Sequence, residues 1–291
     1  MIFKGSCVAL ITPFNKNNNV DFFELQKLIE FQIASQTKAL VILGTTGESS
    51  TITPEERHKI IKFCVSQVSK RIPVIVGTGS NSTETTINQT IEAENLGADG
   101  VLIVTTYYNK TSQNGLYLHY KKVASSTNLP IIIYNVPSRT GVNILPETVY
   151  KLSKIKNIVA LKDAGGNINQ SVQLLSILPK NFAVYSGDDL ITYPLMCMGA
   201  KGVISVTANA YPTLISSMCE NILERDYSNA LRLHKHLYKI NCGLFLDVNP
   251  ICIKYYMKLI GRNVGQPRQP LVEPSVKIKN KLERLKDFYE N

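Results

Sequence analysis

Eight short apolar runs recur along the chain, each followed by glycine or polar turn residues and then by an amphipathic stretch. They are CVALI (7–11), ALVIL (39–43), PVIVGT (73–78), GVLIV (100–104), PIIIY (130–134), IVALK (158–162), AVYSG (183–187) and GVIS (202–205). A strand with one wet face alternates apolar and polar residues. These runs are nearly continuous in apolar character, so both of their faces must be covered, as in a parallel sheet flanked by helices. The intervening stretches have legible helix ends. Thr53 is placed to cap, Pro54 suits a first turn and Glu56 completes a capping box. Ile60, Ile61, Cys64, Val65 and Val68 then fall on one face. A further helix starts near Asp21 and aligns Phe22, Leu25, Leu28, Ile29 and Ile33.

Eight strand–helix units within about 220 residues predict an α/β fold, a (β/α)8 barrel. The barrel is expected over residues 1–224, followed by a C-terminal α-helical region over 225–291 containing two to four helices. A doubly wound open sheet is the competing architecture. It needs a glycine-rich nucleotide turn after the first strand, and the sequence has none there.

Composition narrows the function by exclusion. The six cysteines are scattered, with no C-x-x-C pair, which points to reduced thiols in a cytoplasmic setting. The N-terminal apolar run is too short for a secretory signal, and no run approaches the ~20 residues needed to span a bilayer, so no membrane partner is expected. The net charge of +10 favours anionic partners in general. However, the densest basic cluster, KIKNKLERLKD, is interleaved with Ile, Leu and acids at helical spacing. It reads as a solvated helix face, and no nucleic-acid partner is expected. His58, His119, His234 and His236 lack ligand spacing, so no metal is expected either.

In a barrel of this kind the active site lies at the C-terminal ends of the strands. Those ends carry Thr12, GTTGES (44–49), GTGSN (77–81), TTYYN (105–109), YNVPSRTG (134–141), Lys162 and SGDD (186–189). Lys162 is the conspicuous one, a lone charge closing an apolar run. Strand alternation puts it on the face of Ala160 and Ile158. Two readings stand. The side chain either snorkels to the rim or sits inside the barrel. A low-dielectric interior favours the neutral amine, a nucleophile towards ketones and aldehydes. Tyr134, ending the preceding strand, is then a candidate acid/base, or else a buried phenol bonded to backbone. The GTTGES turn offers hydroxyls and exposed N–H groups that suit a carboxylate, although many turns share that pattern.

In order and spacing, GTTGES, YYN, YNVPSRTG, ALKDA, SGDD, GVISVTAN and DVNPICIKYYM closely resemble the dihydrodipicolinate synthase family of the pyruvate-dependent class I aldolases. The resemblance covers almost the whole chain. It implies condensation of pyruvate with L-aspartate 4-semialdehyde, with no metal or organic cofactor, in a homotetramer built as a dimer of dimers. By position, Lys162 would form the imine and Tyr134 would shuttle protons. Thr45 would link Tyr134 to Tyr108, which a neighbouring subunit supplies. Thr46 would hold the pyruvate carboxylate, with Gly187 and the carbonyl of Ile204 lining the same pocket. Arg139 would grip the carboxylate of the second substrate, the feature that separates these synthases from sialic acid lyases.

The sequence also departs from the family pattern. Thr106 stands where a proline is common, which would loosen the loop carrying Tyr107 and Tyr108. Ser49, Asn81 and Tyr107 match the lysine feedback site. Pro54, Arg57 and Thr85 stand where lysine-sensitive members carry His, His and Glu, which implies weak or absent inhibition.

Overall fold

The computed structural model describes residues 1–290, and in it the eight apolar runs close into one barrel. Its strands are β1 (Gly5–Ala9), β2 (Ala39–Ile42), β3 (Val74–Gly77), β4 (Gly100–Val104), β5 (Ile131–Asn135), β6 (Ile158–Asp163), β7 (Ala183–Ser186) and β8 (Gly202–Ser205). Each pairs in parallel with its sequence neighbour, and β8 closes on β1. Around them run α1 (Phe22–Ala34), α2 (Pro54–Val68), α3 (Thr83–Asn95), α4 (Gln113–Ala124), α5 (Pro137–Thr140), α6 (Pro146–Leu152), α7 (Ile168–Ile177), α8 (Thr192–Cys197) and α9 (Pro212–Leu223). Three more helices follow: α10 (Tyr227–Gly243), α11 (Ile251–Leu259) and α12 (Val276–Glu290).

Helix starts follow the expected chemistry. The Thr53 hydroxyl accepts from the Glu56 N–H while the Glu56 carboxylate accepts from the Thr53 N–H, a reciprocal cap of about 1 kcal/mol. Asp21 caps α1 from one side only, accepting from the Glu24 N–H.

The strands separate two apolar clusters. Cys7, Val41, Ile75, Leu102, Ala160 and Tyr185 fill the barrel, whereas Leu40, Ile42, Val76, Ile103, Ile133 and Leu161 pack outward under the helices. The outer cluster continues into Leu237, Ile253, Met257 and Leu282 of the last three helices. One expectation fails here. Ile131 pairs with Ile158 but Ile132 pairs with Ala160, so Val159 is an extra residue in β6. This bulge reverses the alternation below it. Ile158 therefore packs in the outer cluster, and Lys162 shares its face with Ala160 alone of the two. Among the described residues no helix is long and apolar enough to cross a membrane.

Candidate active site

Lys162 on β6 and Tyr134 on β5 are register partners, with the lysine Nζ 4.3 Å from the centre of the phenol ring. Both are buried, at 6% and 7% exposure. Lysine at such depth ordinarily carries an ion pair. Among the described residues Lys162 has neither an ion pair nor a hydrogen bond, so nothing in the chain competes for its nitrogen. Room for the side chain comes from Gly187, just past β7. A Cβ there would stand 3.0 Å from Lys162 Cε and 2.8 Å from the Ala164 Cβ. The Gly187 N–H donates to the Asp163 carbonyl at 2.8 Å, which holds that backbone in place. Burial pushes the Cys7 thiol up, against the opposing pull of Lys162, so Cys7 stays protonated as a neutral neighbour. The Asp163 carboxylate is engaged elsewhere, accepting from Ser171 Oγ at 2.7 Å and Gly165 N–H at 3.0 Å.

The turn at 44–49 folds on itself. Gly47 N–H donates to the Gly44 carbonyl and Glu48 N–H to the Thr45 carbonyl, both at 3.1 Å, while Ser49 N–H reaches Gly44 at 3.4 Å. The N–H groups of Thr45 and Thr46 are left without a partner among the described residues. Two successive free amides in a turn are the kind of donor pair that suits a carboxylate. Thr12 Oγ donates to the Gly47 carbonyl at 2.7 Å and fixes the turn from the end of β1. Asn249 then ties two predicted residues together. Its Nδ2 donates to Thr46 Oγ at 3.0 Å and its carbonyl accepts from Arg139 Nη2, also at 3.0 Å.

A cavity of about 590 Å³ opens beside this turn, with Thr45, Arg57, Tyr107, Val136, Arg139 and Asn249 in its wall. Lys162 and Tyr134 are not part of that wall. Ile204 is buried on β8 in the inner cluster. Tyr108 stands apart from the other predicted residues, 89% exposed on a left-handed backbone with φ 71°. No hydrogen bond joins Thr45, Tyr134 and Tyr108 within the chain, among the described residues. The loop before Tyr108 is anchored by Thr105 N–H donating to the Tyr134 carbonyl at 3.0 Å, and the Thr106 hydroxyl is buried without a partner.

Sequence reasoning missed Asn249 and a buried ion pair. Lys254 Nζ lies 2.5 Å from Glu48 Oε1, the two side chains 0% and 2% exposed. Burial pulls the Lys254 ammonium down to about 8, against the Glu48 carboxylate that supports it. Removing one partner of such a pair costs about 3–5 kcal/mol, because the other is left charged and dry. The signal was available. Lys254 is the one charge in ICIKYYM, the same anomaly that marks Lys162.

An unencumbered amine beside a phenol can add to a carbonyl and exchange protons with the adduct. With free amides and a guanidinium also available to receive carboxylates, the barrel has the makings of an imine-forming aldolase acting on oxo acids. The chain belongs to the dihydrodipicolinate synthetase family, whose model matches residues 2–287. It is 47% identical over 288 residues to the 4-hydroxy-tetrahydrodipicolinate synthase of Trichlorobacter lovleyi, covering 99% of each chain. The dihydrodipicolinate synthase structure from Aquifex aeolicus superposes with a TM-score of 0.96 at 44% identity, covering 99% of this chain and 98% of that one. The chloride-inhibited Acinetobacter baumannii enzyme, solved in complex with pyruvate, also gives a TM-score of 0.96, at 41% identity and 99% and 98% coverage. Among the described residues no group of three or more His, Cys, Asp or Glu side chains is arranged to hold a metal ion.

Proposed function

We propose that the chain condenses pyruvate with L-aspartate 4-semialdehyde to give 4-hydroxy-tetrahydrodipicolinate, the entry reaction of diaminopimelate and lysine biosynthesis. The observation that carries this reading is the unpaired, buried Lys162 in register with Tyr134. The Lys162 amine adds to the pyruvate C2 carbonyl, and Tyr134 relays the protons that let water leave as the imine forms. The cationic imine draws electrons from the methyl group, which loses a proton and becomes an enamine. The enamine carbon attacks the aldehyde, making the new carbon–carbon bond, and the resulting alkoxide is protonated. The amino group of the semialdehyde portion then attacks the imine carbon, closing the ring and releasing the Lys162 amine. The imine itself is the electron sink, so the reaction as drawn calls on no metal or organic cofactor.

The free N–H groups of Thr45 and Thr46 support a carboxylate site for pyruvate, and we read Gly187 and the Ile204 carbonyl as lining the same pocket. Arg139, held by Asn249, is suited to a bidentate grip on the semialdehyde carboxylate. We read Tyr108 as a group delivered to a neighbouring active site, where Thr45 joins it to Tyr134, within a homotetramer of two tight dimers. Its exposure and left-handed backbone support that reading. Six unpaired thiols support a reducing, cytoplasmic setting.

Coupled assays test the substrate choice. Turnover is expected with pyruvate and L-aspartate 4-semialdehyde and not with pyruvate and a sugar aldehyde. The reverse preference would make the chain a sugar-acid aldolase.

A further inference from the structure

The buried pair of Glu48 and Lys254 sits too close to the carboxylate turn to be read only as packing. Glu48 occupies that turn in a left-handed conformation, φ 55°, uncommon for a residue other than glycine. Both carboxylate oxygens are held. Oε1 accepts from Lys254 Nζ at 2.5 Å on α11, and Oε2 accepts from the Arg268 N–H at 2.8 Å. Lys254 also donates to the Gln266 carbonyl at 3.2 Å. The Phe14 ring packs against both cations, with Lys254 Nζ at 4.0 Å and Arg268 Cζ at 4.1 Å from its centre. Two residues upstream of Glu48, the Thr46 hydroxyl is held by Asn249, at the N-terminal edge of the same helix. The C-terminal helices thus grip the turn at two points, on either side of Gly47.

We infer that Lys254 is a positioning residue for the oxo-acid carboxylate: through Glu48 it sets the turn that aims the Thr45 and Thr46 N–H groups. This rests on the proposed function, in which those amides receive pyruvate. The consequence is that the last helices are part of the pyruvate site, although none of their side chains touches the reacting carbons. A residue of purely structural value would alter stability and leave the two substrates affected alike. A positioning residue for this turn acts on pyruvate and spares the aldehyde.

The test compares the wild type, Lys254→Met and the double variant Lys254→Met/Glu48→Gln. Stability is followed by urea unfolding, and KM is measured for each substrate. Lys254→Met strands one buried charge and should unfold at lower urea, while the double variant regains much of that loss. In both, KM for pyruvate should rise on the order of tenfold while kcat and the KM for the aldehyde hold. If Lys254→Met does not fold, the double variant, which has no lone charge, supplies the kinetic answer. An unchanged KM for pyruvate, or equal rises for both substrates, overturns the inference. Absence of a borohydride-stable pyruvate adduct in the wild type would instead strike the proposed function, so the two failures are separable.

Discussion

Lys162 and Tyr134 meet across the β5–β6 pairing, with the lysine nitrogen 4.3 Å from the phenol ring centre and no other polar partner on it among the described residues. In the proposed reaction this pairing assigns Tyr134 the movement of protons on and off the carbinolamine. Tyr134→Phe keeps the ring and its packing but removes the hydroxyl. It should lower kcat by about 100-fold or more, with the fold intact by circular dichroism. A variant retaining more than half of the wild-type rate would remove Tyr134 from the mechanism.

Gly187 gives the second prediction. An alanine there brings a methyl group to 3.0 Å from Lys162 Cε and 2.8 Å from the Ala164 Cβ, with the backbone pinned to Asp163. The flexible lysine can swing away, whereas the contact with Ala164 is relieved only by a shift of the backbone. Gly187→Ala should therefore slow adduct formation with pyruvate and also lower the melting temperature. Equal adduct rates in the two proteins would show that the lysine has slack.

Feedback inhibition by lysine is expected to be weak or absent. Arg57 is buried in the wall of the cavity that also contains Ser49, Pro54 and Tyr107. Its Nη1 donates to the Gly77 carbonyl at 3.1 Å, and its Nε lies 3.4 Å from Glu92, which also contacts His58. A lysine ammonium entering here meets a fixed guanidinium, and the nearby carboxylate is already engaged. Half-maximal inhibition at low-micromolar lysine in a steady-state assay would contradict this.

Acid sensitivity should trace partly to His119. Its Nδ1 meets Thr83 Oγ at 3.0 Å, its Nε2 is buried without a partner, and burial pulls its pKa down to about 4 from 6.5. The unfolded chain therefore binds a proton near 6.5 that the folded chain refuses until about 4. The neutral ring's contribution is fully present above the upper value and lost as pH falls towards the lower one. The loss amounts to ~3 kcal/mol at most. Urea midpoints measured between these two pH values should fall less steeply in His119→Gln than in the wild type. Parallel slopes would assign the sensitivity to other groups.

The barrel was legible because every strand is covered twice, which leaves an apolar run in the sequence wherever a strand forms. Lys162 was legible as a charge that such a run should not contain, and Tyr134 as the polar end of the run before it. The bulge at Val159 was not, since an extra apolar residue in an apolar run changes no pattern; it shows only as Ile158 on the wrong face. Glu48 and Lys254 are separated by 206 residues, and Thr46 and Asn249 by 203. Such pairs come together only once the last helices fold back over the barrel mouth, and no local spacing encodes that. Tyr108 was identifiable by position in its motif, and within the chain it is 89% exposed, so no packing pattern in the sequence marks it.

Borohydride reduction in the presence of pyruvate, followed by peptide mapping, bears most directly on the covalent role of Lys162. The wild type should gain one reduced pyruvate unit, carried on the peptide containing Lys162, while Lys162→Ala gains none and makes no product. An unmodified Lys162 in a protein fully inactivated by the treatment, or full synthetic turnover in Lys162→Ala, would contradict the account.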